Sequence, residues 1–423
     1  MAKNGNDKNS GTAIQPWLTI TKAANTMVAG DTVYVKGGVY KERVIPQNSG
    51  SQGKYITFAA YPGQSVTIDG TGISNPNYWD SLVKISGKKF IKFDGFKIEN
   101  YAGGNGFAVY VTNNGATPSS DIVISNLKIS NILSGGIIVE GFSNGKNYII
   151  TNNTLSNVQQ RSYRDSLNVH ECISIVGATG FTVRYNSVTN CDREGIDIKD
   201  GSSNGLVYGN FLINTHNGIY ADAWDSGVND IQIYNNRVDN SAQYGIQVGS
   251  EKGGTLQNIL IFNNIVNYSY ASGILINDYS FTQPAGRINN ITISYNTVIQ
   301  NGRDAGWSGG IAIDRKTNIQ NIKVYNNIGS QNYHWQLRDL TSGSSVIGNN
   351  LIDGSNSGSG ATNGINPKFG NPQFVSYPIN LHLKSTSIAR DIGTVNGLPG
   401  YDFDWKNRPY GNGYDIGSYE YVP

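Results

Sequence analysis

The sequence predicts an all-β chain wound as a right-handed parallel β-helix, with a short N-terminal capping helix and a C-terminal cap. Three observations carry this: an irregular internal repeat, strict apolar alternation within each repeat, and a composition made for tight turns. Gly is 52 of 423 residues and charged residues are only 15%. Gly and Asn, both abundant here, tolerate the left-handed backbone that closely spaced turns require.

A short phrase recurs: a small residue followed by alternating apolar positions. It reads GFAVY at Gly106, GIIVE at Gly136, CISIV at Cys172, GIDIK at Gly195, GIYAD at Gly218, GIQVG at Gly245, GILIN at Gly273 and GIAID at Gly310, with WQLRD at Trp335 as the last copy. The anchors are separated by 30, 36, 23, 23, 27, 28, 37 and 25 residues. A second alternating strand follows each phrase and ends at an asparagine: Asn186, Asn210, Asn236, Asn264, Asn296, Asn327 and Asn350. A helix-free unit of about two dozen residues cannot bury its apolar face alone, so it stacks on its neighbours as a coil. The asparagines are expected to stack in one column at a left-handed turn. The stretch LTITKAANTMVAGD from Leu18 has near-helical apolar spacing and is read as the cap on the first coil, shielding its open edge. One domain is expected over 1–423: cap and first coils over 1–95, central coils over 96–355, C-terminal cap over 356–423.

A formal charge of +2, from 32 basic and 30 acidic residues, gives no global attraction to nucleic acid or membrane. No apolar run approaches the ~18 residues of a membrane span. The opening MAKNGNDKNSGT reads as a mature secreted chain restarted with Met, without a signal peptide, and a monomer is expected. The two cysteines, Cys172 and Cys191, are too few for a disulfide framework and read as core thiols.

Alternation turns the repeat into a surface. With a common phase, the outward fourth-position column holds Tyr110, Glu140, Val176, Lys199, Asp222, Gly249, Asn277, Asp314 and Arg338. The second-position column holds Ala108, Ile138, Ser174, Asp197, Tyr220, Gln247, Leu275, Ala312 and Gln336. His170, Arg193 and His216 sit two positions before their anchors on consecutive coils. Long insertions flank this patch: NVQQRSYRDSLNV carries Arg161, Tyr163 and Arg164, and the later loops carry Tyr279, Phe281, Arg303 and Trp307. Loops on a rigid solenoid are where a substrate is gripped.

A lone outward lysine is ordinarily a solvated charge. Lys199 differs in standing among Asp197, Asp200 and Asp222 with Arg193 upstream. β-Elimination of a uronic-acid polymer needs such a set: one group neutralises the carboxylate, another takes the C5 proton, and a third protonates the leaving O4. Arg193 or a histidine suits the first task, and Lys199 and Tyr163 the others. The neighbouring aspartates raise the lysine pKa, which disfavours the neutral amine a base needs and suits an acid or a carboxylate clamp, with Tyr163 taking the proton. The roles of Lys199 and Tyr163 stay open on these grounds, with Glu194, Asp197, His216, Tyr220 and Asp222 as substrate contacts beside the loop residues.

Across most of the chain the repeat resembles the β-helix polysaccharide lyases. EGIDIKDGSSNGLVYGN, from Glu194, is similar to the catalytic-lysine coil of the alginate lyase and chondroitinase B group. That resemblance implies a lysine base, an arginine acid and calcium held by Asn and Glu, with Glu194 at a calcium-ligand position. The next coil, HNGIYADAWD, has no arginine where the acid belongs. With RSY ahead of the lysine coil, the chain looks more like polysaccharide lyase family thirty-one, which acts on polymannuronate or glucuronan. This resemblance implies a Tyr163 and Lys199 pair and no required metal, calcium remaining the alternative.

Other classes compete. Hydrolysis of a pectin-like polymer would use aspartates such as Asp197, Asp200 and Asp222, but the NTD, DD and RIK phrases of polygalacturonases are missing. A mannuronan epimerase would carry Asp-Pro-His-Asp where DIKD stands at Asp197. A calcium-dependent pectate lyase would want an aspartate cluster ahead of the lysine, where the loop offers Asp165. A carbohydrate-binding solenoid would need no titratable cluster.

Overall fold

The computed structural model describes residues 1–74, 79–102, 106–142, 144–160, 170–278, 286–303, 308–314, 318–341, 343–395 and 399–423. The chain is an all-β right-handed parallel β-helix that divides into two compact units, Met1–Gly205 and Leu206–Pro423.

In the first unit each coil contributes a strand to three parallel sheets. One holds Ile56–Ala60, Lys89–Asp94, Ser120–Ser125, Lys146–Thr151 and Thr179–Arg184; the second holds Val66–Asp69, Lys97–Tyr101, Lys128–Ile132, Thr154–Val158 and Ser187–Cys191. The third carries the predicted phrases: Ser81–Ser86, Phe107–Thr112, Ile137–Glu140, Ile173–Val176 and Ile196–Lys199. Inward residues such as Ile173, Ile175, Ile196 and Ile198 are fully buried, so neighbouring coils share the core that none could close alone. The capping helix forms over Ile20–Thr26, with Thr19 accepting from the Lys22 amide and Ile20, Ala23 and Ala24 turned inward.

The second unit repeats the plan. Its third sheet holds Ile219–Ala223, Ile246–Ser250, Ile274–Asp278, Ile311–Ile313 and Leu337–Asp339. The C-terminal segment lies along the flank of this unit: Asn235, Asn263, Asn326 and Asn349 donate to the carbonyls of Asp402, Tyr401, Thr394 and Ile392 at 2.7–3.0 Å. Buried Arg408 locks it by donating to Glu420 at 2.8 Å and to the Gly417 carbonyl at 2.7 Å.

The asparagine column is present, extended in the first unit by Asn153, which donates to Asn186 at 2.9 Å. The left-handed residue, however, is the one before each ladder position: Asn152, Tyr185, Asn235, Asn263, Tyr295, Asn326 and Asn349 have φ between 50° and 58°, and Gly209 before Asn210 has φ 64°. The ladder asparagines turn inward instead, their amides bonding along the column and to buried carbonyls. Two different jobs fall on adjacent residues, and sequence spacing alone had merged them.

Two phrases are out of phase by two residues. Tyr110 pairs with Ile138, placing it in the column of Ser174 and Asp197. Arg338 pairs with Ala312, in the column of Tyr220, Gln247 and Leu275. Alternation is unchanged by a shift of two, so only backbone pairing can choose between the phases.

The cysteines are joined, Cys172 to Cys191, with Cα atoms 6.3 Å apart; the expectation of two core thiols is corrected. Packing explains the position. A Cβ on Gly245 would meet Val266 Cγ1 at 2.1 Å and the Gly273 carbonyl at 2.6 Å, so glycine is required at that anchor. At Cys172 the anchor side chain is accommodated because Cys191 stands in register with Val158 of the previous coil and bonds to it. Closing a loop of this length stabilises the fold by about 3 kcal/mol in the chain-entropy account.

Candidate active site

The site is built in the first unit from two adjacent coils. The Cys172 amide donates to the Glu194 carbonyl at 3.0 Å, and Ile173–Val176 pairs with Ile196–Lys199 residue for residue. His170 and Glu171 thus correspond to Arg193 and Glu194 one coil on. Lys199 Nζ donates to Glu171 Oε1 at 2.9 Å and lies 3.1 Å from Asp197 Oδ2. Arg193 Nε is 3.6 Å from Glu194 Oε2. The Glu171 and Asp197 side chains are each 1% exposed, while Lys199 is 22% and Arg193 20% exposed, so the two cations are the parts of the group that solvent or substrate reaches.

Burial opposes ionisation of Glu171, but Lys199, Arg193 and His170 outweigh it and hold its carboxyl down at about 2. For Glu194 the balance reverses: burial pushes the carboxyl up, and Glu171 adds to the rise against the pull of Arg193. His170 packs edge-on against Trp79 and Phe107, each ring 4.5 Å away. Burial depresses it from 6.5 to about 4, against the opposing pull of Glu171 and with Lys199 and Arg193 adding to the effect. His170 is therefore uncharged at neutral pH and presents no cation to a substrate carboxylate.

A pH dependence follows with a definite sign. A histidine whose folded pKa is depressed contributes stability above its unfolded pKa and loses it as pH falls towards the folded value. Denaturant unfolding is expected to show stability holding above pH 6.5 and falling by roughly 3 kcal/mol between about 6.5 and 4. The Glu171 contribution disappears only lower, from about 4.5 towards 2. His170→Gln should flatten the first fall; an unchanged profile in that variant would assign it elsewhere.

Glu171, Glu194 and Asp197 each place a carboxylate oxygen within 4.8 Å of the other two, and all three residues are buried. Oxygens bound to one calcium ion at 2.3–2.6 Å lie at most about 5 Å apart, and hard carboxylate donors suit such a cation. The donor set therefore fits a divalent oxygen-seeking ion. Glu171 was not singled out in the sequence; the signal was its HE pair, at the same offset from Cys172 as the RE pair of Arg193–Glu194 from Gly195.

In the second unit Tyr220 and Asp222 are buried on the strand face, Tyr220 donating to Glu251 at 3.0 Å, and His216 is half-buried on the preceding turn. Arg303 is on the turn flank, donating to Asn240 and to the Tyr268 carbonyl at 2.9 Å. Arg161, Tyr163, Arg164, Tyr279, Phe281 and Trp307 lie outside the described residues.

Residues 1–203 match the family described as "Pel9A-like, right handed beta helix region". A curated relative, uncharacterized protein YwoF of Bacillus subtilis (strain 168), is 28% identical over 358 residues, covering 76% of this chain and 73% of its own. Among solved structures, pectate lyase Pel9A superposes with a TM-score of 0.55 at 15% identity, covering 100% of this chain and 96% of that one. XylC in complex with xylose gives 0.55 at 14% identity, covering 77% and 74%. The PL6 family alginate lyase AlyGC gives 0.56 at 14%, covering 90% and 58%. At these identities the shared property is the fold: this chain is similar to proteins that use a right-handed parallel β-helix.

Proposed function

We propose that the protein is a secreted lyase that cleaves a uronic-acid polymer by β-elimination, with polymannuronate the first substrate to test. One observation carries the reading: Lys199 stands partly exposed over three buried carboxylates, the neighbouring coil supplying Glu171. A surface lysine needs no such support, and a passive binding face needs no buried acid cluster.

Glu171, Glu194 and Asp197 would hold a divalent cation, and its charge would supply neutralisation of the uronate carboxylate, which makes the C5 proton more acidic. Lys199 then takes that proton. Its present partners favour the ammonium form, so engaging Glu171 and Asp197 elsewhere is what releases a neutral amine. The electron pair left at C5 forms the C4–C5 double bond as the C4–O4 bond breaks, and O4 leaves with a proton from a second acid, for which the sequence offers Tyr163. The Cys172–Cys191 bridge fits an oxidising compartment and so supports secretion.

The experiment is ultraviolet absorbance of the unsaturated product on polymannuronate, polyguluronate, glucuronan and pectate, with and without a chelator. A rise that the chelator removes and calcium restores is expected. A rise indifferent to chelation would return the mechanism to Lys199 and Tyr163 alone. New saturated reducing ends without absorbance would make the protein a hydrolase.

A further inference from the structure

Trp79 is 40% exposed although it adjoins one of the most tightly packed parts of the first unit. Its indole stacks on Tyr110 with centroids 6.3 Å apart, tilts against Phe107 at 5.9 Å and meets His170 edge-on at 4.5 Å. Lys84 crosses the same place, its Nζ 5.7 Å from the Tyr110 centroid and donating to the Trp79 carbonyl at 3.3 Å. Nearby acids are already engaged. Asp80 is paired with Arg43, and Glu140 accepts from the hydroxyls of Tyr110 and Thr112. The result is a rigid aromatic face, supported from behind, with a half-buried ammonium at its edge.

From this geometry we infer that Trp79 and Lys84 form a sugar-binding subsite that leads from His170 away from Lys199 and takes a uronate residue of the chain being cleaved. The indole offers its face to the C–H side of the ring, as apolar contact with a few placed polar groups requires. Lys84 pairs with the ring's carboxylate. Lys84 is in the same register column as Tyr110, Ile138, Ser174 and Asp197. Four coil steps at about 4.8 Å put it roughly 19 Å from the coil of Lys199. A coil step is close to the length of one sugar residue, so the polymer would run across the coils; a trisaccharide held at Lys199 would not reach Lys84, whereas Trp79, in ring contact with His170 one coil before Lys199, is within its reach. This inference rests on the uronan reading for its ligand and on the aromatic platform for its place.

The test compares a uronate trisaccharide with a hexasaccharide. Trp79→Ala is expected to lower kcat/KM roughly tenfold for both substrates. Lys84→Met should lower the ratio of kcat/KM for hexasaccharide over trisaccharide, and not when the hexasaccharide is the carboxyl-reduced analogue. Unchanged kcat/KM in Trp79→Ala together with an unchanged ratio in Lys84→Met would overturn the subsite. Calorimetric binding to the Lys199→Arg protein separates the two readings. Absence of unsaturated product from every uronan would sink the lyase assignment, while tighter hexasaccharide binding that Trp79→Ala removes would still uphold the subsite. Equal binding with and without Trp79 would overturn the subsite and leave the lyase standing. Because Trp79 also touches His170, thermal melting of Trp79→Ala accompanies the series, and Lys84→Met, which leaves that packing alone, decides if the first variant is destabilised.

Discussion

Lys199→Arg is expected to remain folded and to lose at least about a thousandfold in kcat, the upper part of what positioned acid–base groups contribute. A guanidinium keeps the positive charge facing Glu171 and Asp197 but does not give up its proton in the working range. Charge and proton transfer are thereby separated. Lys199→Ala removes both, and its result should be different in kind. Glu171 and Asp197, each 1% exposed in their side chains, would lose their cation; breaking a buried pair from one side costs about 3–5 kcal/mol. Added calcium should recover much of that stability in the alanine variant by binding the native state, without recovering turnover. Full activity in Lys199→Arg would refute the lysine as base, and calcium-insensitive melting of Lys199→Ala would count against the carboxylate group as a cation site.

A stability effect as large is expected at Asn264→Ala. The Asn264 side chain is fully buried, and its Nδ2 donates to the carbonyls of Ile233 and Phe262 at 2.8 and 3.1 Å and to Asn296 Oδ1 at 3.0 Å. Its Oδ1 accepts both the backbone amide and Nδ2 of Asn236 at 3.0 Å. Truncation strands donors and acceptors that no water readily reaches, at about 1–3 kcal/mol for each unsatisfied group. A loss of roughly 3–5 kcal/mol in denaturant unfolding is expected after partial relaxation. Asn258→Ala is the comparison, because Asn258 donates to Asp230 at 2.9 Å in an exposed ladder and should cost below about 1 kcal/mol. Equal losses at the two positions would show that the buried column sets direction without carrying stability.

The coil architecture was legible because its two signals, alternation and recurring asparagine, are local and repeated. What was lost shares one physical cause: contacts between coils leave little trace in linear order. Tyr110 and Arg338 were misplaced by two because period-two patterns fit either phase. Glu171 escaped notice because it precedes the alternating run that marks the strand, yet the register brings it to Lys199. The bridge between Cys172 and Cys191 was missed because counting cysteines weighs a framework, whereas a single bond needs only two anchors on stacked turns. Lys199, Arg193, Glu194 and Asp197 could be read as neighbours from the sequence, since all four fall within one coil and its approach.

The buried asparagines have a consequence for how such a chain changes over time. In the second unit successive members of the column are 26, 28, 32, 31 and 23 residues apart, while the side-chain bond joining each pair stays at 2.9–3.0 Å. Whatever length of loop intervenes, the winding is restarted at the same point of every turn. Insertions are thereby confined to the rim, and the specificity-bearing loops are free to be rewritten while the scaffold keeps count.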